Sequence, residues 1–209
     1  MALRDPDRTR TNIVEVAATI FHQKGFKGTS LSDILTEAQI SKGALYHHFS
    51  NKQELLYAVF DEVYKVNFLK RWNNITISAD PINEIANVVE SLALEGSDEE
   101  MCCGCPVHNL ASELAPVDES IRHRVDSLFC SIQKIISQGI ETAKNNGDVG
   151  AHVDSKQISL FFMCTMSGIP QMVKSCQDRE VYTQLTSALS DYVKQLKNIR
   201  ISMNCSTQV

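Results

Sequence analysis

Neither a secretion signal nor a membrane span is evident in this 209-residue chain. Residues 1–7 are charged at once and have no apolar run behind them, so they do not resemble a signal peptide. The longest apolar stretch, residues 158–173, contains polar residues and a proline and is too short to cross a bilayer. These absences predict a cytoplasmic protein that does not use a membrane.

Motifs for catalysis are missing as well. The sequence has no glycine-rich phosphate-binding loop, no serine-nucleophile motif and no paired carboxylates in a setting that would tune their acidity. The seven cysteines, in a reducing compartment, favour thiols over a disulfide framework. The sequence therefore gives little support for an enzyme, and we expect neither a cofactor nor a bound metal.

The net charge of −5 is unevenly distributed along the chain. Residues 1–52 carry seven Lys and Arg against five Asp and Glu, a net charge of +2, whereas the remaining residues carry a net −7. This asymmetry predicts a nucleic-acid surface near the N-terminus. Since few phosphates can be neutralised per subunit, non-specific affinity for DNA should be modest.

Residues 29–52 predict a helix, a tight turn, a second helix and the start of a third. Ser30 and Ser41 stand where N-cap residues are preferred, directly before runs with helical spacing. Leu45 and Phe49 lie four residues apart and therefore share the inner face of the second helix. This pattern is typical of a helix-turn-helix.

The outer face of the second helix carries residues suited to the major groove of DNA. Gly43 would permit close approach, while Tyr46 and His47 offer hydrogen bonds to phosphates and base edges. Lys52, in a third helix that Ser50 is expected to cap, would hold a phosphate together with backbone N–H groups. The predicted DNA contacts are Thr29, Ser30, Ser32, Ser41, Lys42, Gly43, Ala44, Tyr46, His47, His48 and Lys52.

These residues resemble the DNA-binding end of the TetR family of bacterial repressors. The matching elements are Gly25-Phe26, Thr29-Ser30, residues 41–49, and Lys52 with Leu55-Leu56. The close resemblance covers roughly the first 60 residues, and beyond them only length and helical pattern agree. It implies an all-α homodimer that binds a near-palindromic double-stranded DNA operator and releases it when a small molecule enters the C-terminal domain.

Helical periodicity predicts nine helices in two parts. Residues 1–52 form a three-helix, helix-turn-helix DNA-binding domain, and residues 53–73 a connecting helix. Residues 74–200 form a larger effector-binding and dimerisation domain with an acidic loop at 96–100, and residues 201–209 a frayed tail.

The last two predicted helices, residues 155–176 and about 179–200, are the candidates for dimerisation. The resemblance implies that they pair with their counterparts in a four-helix interface. Operator geometry gives an independent reason, because a two-fold axis holds two recognition helices about 34–36 Å apart. The interface candidates are Phe161, Phe162, Leu185, Leu189, Tyr192 and Leu196.

Residues 101–109, MCCGCPVHN, have three interpretations. The first is packing, with Cys as a small hydrophobe. The second is a thiol sensor, because backbone N–H groups at a helix start favour the thiolate of Cys105, and Cys102 and Cys103 are close enough to resolve an oxidised thiol. The third is a metal site with His108, which is disfavoured because adjacent cysteines rarely chelate one tetrahedral ion.

A second resemblance supports the sensor interpretation. Gly104-Cys105, Asn109 and Glu113-Leu114 match a Gly-Cys-x-x-x-Asn…Glu-Leu pattern in a branch of TetR-type repressors that includes responders to reactive electrophiles. We expect Cys130 and Cys164, inside apolar helical runs, to be shielded. The predicted effector or sensor residues are Cys102, Cys103, Cys105, His108, Phe129, Met163 and Met166.

The sequence thus predicts a sequence-specific transcriptional repressor that a small molecule or reactive electrophile releases from its operator. The alternative is a DNA-bound structural or partner-recruiting protein of the same fold with no effector. A sizeable cavity beside Cys105 and His108 would favour the repressor, and a packed C-terminal domain would favour the alternative.

Overall fold

In the computed structural model, residues 6–198 are described, and every regular element within them is helical. The N-terminal module consists of α1 (Pro6–Lys24), α2 (Leu31–Glu37) and α3 (Lys42–His48). Gly25 ends α1 with a φ of +75°, a left-handed conformation that favours glycine, as its position in the sequence predicts. The helix-turn-helix is therefore confirmed.

A long fourth helix, α4, has three consecutive segments: Lys52–Val59, a π-helical turn at Phe60–Tyr64, and Lys65–Trp72. Its N-cap is Asn51, whose side chain accepts a hydrogen bond from the backbone N–H of Glu54 at 2.9 Å. The prediction that Ser50 caps this helix is wrong, because the N–H of Ser50 instead donates to the Glu54 carboxylate at 3.0 Å.

Six further helices follow a short 3₁₀ segment. All nine predicted helices are present among the described residues, and α6 is an additional short one where an acidic loop was predicted at 96–100. The helices are α5 (Pro81–Glu95), α6 (Asp98–Cys103), α7 (Pro106–Leu114), α8 (Glu119–Asn145), α9 (Ser155–Cys176) and α10 (Arg179–Gln195).

A distant arginine binds the α5–α6 turn, and the loop predicted at 96–100 is limited to residues 96–97 because α6 begins at Asp98. The Arg179 guanidinium donates to the carbonyls of Ala93 and Gly96, each at 2.8 Å, and to the Asp98 carboxylate at 2.7 Å. These bonds satisfy carbonyls at the end of α5 that have no intrahelical partner. A partner more than 80 residues away leaves no trace in the local sequence pattern.

The chain forms two compact units. The first contains the described residues up to Lys70 together with residues 103–128, and the second contains residues 71–102 together with the described residues from Phe129 onward. Residues 103–128 thus belong with the helix-turn-helix module. No helix among residues 6–198 is both long and apolar enough to cross a membrane.

The second unit is built from α5, α9, α10 and most of α8. Phe162 is buried there, with its ring edge-on to Trp72 at 5.8 Å between centroids. Leu189 and Leu196 are also buried within the protomer. The expectation that these three residues form a dimer surface is therefore corrected. The predicted end of the last helix, residues 199–200, and the predicted tail, 201–209, lie outside the described residues.

Candidate DNA-binding face and cysteine loop

A capping box fixes the start of α2. The Ser30 hydroxyl accepts a hydrogen bond from the backbone N–H of Asp33 at 3.1 Å, and the Asp33 carboxylate accepts from the N–H of Ser30 at 2.8 Å. Hydrogen bonds from the Ser30 hydroxyl, the Ser30 N–H and Lys24 hold the pKa of Asp33 well below its usual range. The N-cap predicted at Ser30 is confirmed.

Helix α3 presents one buried and one open face, as its spacing predicts. Leu45 and Phe49 are buried, and the Ser41 hydroxyl caps the helix by accepting from the N–H of Ala44 at 3.2 Å. On the opposite face Tyr46 is 45% exposed, and a Cβ added to Gly43 would meet nothing closer than the Ser41 hydroxyl at 4.0 Å. Ser30, Ser32, Ser41, Lys42 and His47 are also exposed, whereas Ala44 and His48 are half-buried.

Thr29 and Lys52 were predicted to contact DNA, but both side chains bind the protein's own backbone instead. Thr29 is 2% exposed, and its hydroxyl donates to the carbonyl of Gly25 at 2.7 Å. The Lys52 ammonium donates to the carbonyls of Phe26 and Thr29, both at 2.7 Å, and lies 4.2 Å from the centre of the Phe26 ring. Burial lowers the pKa of Lys52, and the Glu113 carboxylate opposes this shift. Both side chains thus organise the turn between α1 and α2.

The cysteine loop, residues 103–105, lies directly before α7 and is bonded to α1. A His22 ring nitrogen donates to the carbonyl of Gly104 at 2.5 Å, and the Asn109 side chain donates to the carbonyl of Cys103 at 2.8 Å. Gly104 has a φ of +73°, which favours glycine. Cys105 follows as the half-buried N-cap residue of α7. The sequence pattern Gly-Cys-x-x-x-Asn therefore has a geometric basis.

His108 is a buried, neutral core residue. Its ring packs edge-on to Phe68, with 6.4 Å between centroids, and burial lowers its pKa to about 4. Among residues 6–198, no group of three or more His, Cys, Asp or Glu side chains is arranged to hold a metal ion. The six cysteines in this part of the chain are thiols, while Cys205 lies outside it.

Stability should depend on pH through His108. Because its pKa of about 4 in the folded protein lies below the ordinary 6.5, the unfolded chain binds more protons between these values. The resulting stability is present above pH 6.5 and is lost as the pH falls toward 4, by at most about 3 kcal/mol. In urea titrations, His108→Phe should flatten this dependence, while His152→Phe, at an exposed position, should not. Equal pH slopes for both variants would contradict this assignment.

Glu113, at the other end of α7, was not predicted to contact the DNA-binding module. Its carboxylate accepts hydrogen bonds from the backbone N–H of Phe26 at 3.0 Å and of Lys27 at 2.6 Å. The partners are backbone groups in a turn almost 90 residues earlier, so sequence spacing gives no signal for the contact. In the sequence, only the Glu-Leu of the Gly-Cys-x-x-x-Asn…Glu-Leu pattern indicated that this position is important.

A crevice of about 260 Å³ lies elsewhere in the first unit. Neither Cys105 nor His108 lines it. Phe129, Met163 and Met166, predicted to contact an effector, are half-buried in the second unit. The lining residues are Phe60, Asp61, Lys65, Ser120, His123, Arg124 and Ser127.

Comparisons with known proteins agree with this architecture. The family described as "Bacterial regulatory proteins, tetR family" matches residues 13–59, and "Tetracyclin repressor-like, C-terminal domain" matches residues 81–189. An HTH-type transcriptional regulator in the lacX 3' region of Lactococcus lactis subsp. lactis is 31% identical over 134 residues, which cover 63% of this chain and 68% of that protein.

Similarity also extends over nearly the full length. The HTH-type transcriptional repressor DhaR of Mycobacterium sp. (strain GP1) is 25% identical over 198 residues, covering 91% of this chain and 95% of DhaR. The crystal structure of a TetR transcriptional regulator from Chloroflexus aurantiacus J-10-FL matches with a TM-score of 0.79 and 26% identity, covering 92% of this chain and 98% of that one.

The helix-turn-helix exposes a tyrosine, a histidine and a lysine, which suits the DNA-contacting role of this class of regulator. With both of its parts matched, the chain belongs to the TetR family of transcriptional regulators.

Proposed function

We propose that this regulator is a repressor that binds a near-palindromic operator as a homodimer and releases it when Cys105 reacts with an electrophilic small molecule. The observation that carries the proposal is the bond between His22 and the carbonyl of Gly104, because it joins the cysteine loop directly to α1 of the DNA-binding module. A change at Cys105 therefore acts within the unit that contains the recognition helix.

The environment of Cys105 suits a sensor. Cys105 is the N-cap residue of the nine-residue α7, and the positive end of the helix dipole favours a thiolate at this position. Burial, and then the charge of the nearby Cys105, raise the pKa of Tyr64, whose hydroxyl donates to the carbonyl of Ala18 at 2.6 Å. Tyr64 is thus electrostatically coupled to Cys105 and is itself bonded to α1. Because protein interiors are close-packed, bulk added at the half-buried Cys105 should displace its neighbours in this unit.

The dimer proposal rests on an exposed apolar face of α9. Leu160, Phe161 and Met172 are each more than half exposed. Phe161 and Met172 lie on the same side of the helix because their spacing is close to three whole turns, and Leu160 lies about 100° around the helix from Phe161. The Phe161 ring contacts that of Tyr192 on α10, with 5.2 Å between centroids. A contiguous apolar face formed by two helices is typical of an interface between subunits.

Tyr46→Ala tests the DNA-binding face. Since Tyr46 is largely exposed, the fold should survive, while operator affinity should fall by about 1–3 kcal/mol, roughly 5- to 150-fold. Fluorescence anisotropy with DNA that the parent protein selects from a random-sequence pool measures the effect. His152→Ala, which removes an exposed ring in the second unit, is the control. If Tyr46→Ala binds the selected DNA as tightly as this control, the recognition face has been misassigned.

A further inference from the structure

Helix α7 is attached to the DNA-binding module at both ends. At its N-terminal end, the Gly104 carbonyl accepts from His22 near the end of α1. At its C-terminal end, the Glu113 carboxylate accepts from Phe26 and Lys27, just beyond the end of α1. Helix α7, whose N-cap residue is Cys105, therefore holds the backbone of the α1–α2 turn.

The turn is shaped around the Glu113 carboxylate. Each carboxylate oxygen accepts one backbone N–H, so the acceptors match the donors one for one. Gly25 lies against the carboxylate, and a Cβ added there would be 3.1 Å from the Glu113 Oε2 oxygen. A hydrogen bond to a charged acceptor is stronger than one between neutral groups, so this contact fixes the turn more firmly than an ordinary loop contact.

Lys52 completes the attachment from the other side. Its ammonium binds the carbonyls of Phe26 and Thr29, while the Glu113 carboxylate binds the N–H groups of Phe26 and Lys27. The turn is thus held between an anion on α7 and a cation on α4. Because α2 begins only two residues after Thr29, the position of the turn influences where α2, and α3 after it in the chain, meet the DNA.

We propose that Glu113 is a positioning residue for operator binding, and that a shift of α7 after modification of Cys105 withdraws its carboxylate from the turn. The second half of this statement rests on the proposed function. A loosened turn leaves the helix-turn-helix folded but lowers the population of its binding-competent position, which reduces the apparent affinity for DNA by the same factor.

Glu113→Gln is the sharpest variant, because it preserves shape but leaves only one oxygen to accept two N–H groups. Hydrogen exchange at the Phe26 and Lys27 amides should accelerate about 10-fold or more, and affinity for DNA selected by the parent should fall by a similar factor. The thermal midpoint should stay close to that of Glu119→Gln, the matched control at an exposed glutamate in the same unit. Identical exchange and affinity in the two variants would overturn the positioning role.

The second half of the proposal is a relay, in which modification of Cys105 shifts α7 and withdraws Glu113 from the turn. It is tested in the parent protein by alkylating Cys105 with N-ethylmaleimide and measuring hydrogen exchange at the same two amides. Faster exchange at Phe26 and Lys27, absent from Cys105→Ser treated in the same way, supports the relay. Unchanged exchange in a protein that nevertheless releases DNA would overturn it, with the proposed function intact. A parent that never releases DNA would instead refute the proposed function, while the Glu113→Gln result would still decide the positioning role.

Discussion

Cys105→Ser is expected to retain operator binding and to lose its release by N-ethylmaleimide. Serine is close to cysteine in size and is itself a good N-cap residue, so α7 should begin where it does in the parent. In the parent, the thiolate sulfur adds to the alkene of the reagent, forming one C–S bond, and the neighbouring carbon takes a proton from water. Because Cys105 is half-buried, the added ring should displace α7.

The readout for this prediction is DNA release, because labelling rate cannot identify the sensor. The expectation that Cys130 and Cys164 are shielded is wrong: both are exposed in the protomer, whereas Cys105 is half-buried. Cys130→Ser and Cys164→Ser are therefore the matched controls, and both should keep full release. Mass spectrometry confirms which thiols carry the label, and fluorescence anisotropy follows the DNA. Release that persists in Cys105→Ser would make the cysteine loop a packing feature and favour a non-covalent effector or none.

Features of the helix-turn-helix that depend on near neighbours were predictable from sequence. Ser30 and Ser41 cap helices through backbone groups only three residues away, and Leu45 and Phe49 are buried because they lie one turn apart. In local patterns of this kind, a side chain and the group that it contacts are close in sequence, so both can be identified together. The outer face of α3 follows directly, since whatever does not face the core must face outward.

Lys52 and Glu113 show where such reasoning fails. A lysine in the first turn of a helix near the DNA-binding face suggests a phosphate contact, yet its partners are two carbonyls more than 20 residues earlier. Glu113 looks like an ordinary surface carboxylate until the fold brings the α1–α2 turn against it. Both residues stabilise irregular backbone, and irregular backbone has no periodicity from which its partners could be deduced.

Phe161 and Phe162 show a second limit. An almost wholly apolar helix predicts burial on most sides, but periodicity does not say which side faces the protomer's own core. Phe162 packs against Trp72, while its neighbour in sequence is half exposed. The distinction determines which substitutions break a dimer and which unfold the protomer. A charge at Leu189, which is buried, would do the latter.

Phe161→Glu should convert the proposed dimer into folded monomers and remove most operator binding. Two-fold symmetry would bury one new carboxylate from each protomer in an apolar interface, and unpaired buried charges cost several kcal/mol. We therefore expect dimer affinity to fall at least about 100-fold, with operator affinity falling alongside because one recognition helix reads too few bases. Light scattering at micromolar concentration gives the mass, and circular dichroism shows whether the protomer remains folded.

The matched control is Val66→Glu, because Val66 is an apolar helical residue on α4 with the same 52% exposure as Phe161. It should stay dimeric and keep binding the selected DNA, since it lies outside the apolar face of α9 and α10. The comparison separates the effect of the interface from that of adding an acidic residue to a surface helix. A monomeric parent, or a Phe161→Glu variant that is as dimeric as Val66→Glu, would rule out this face as the dimer contact.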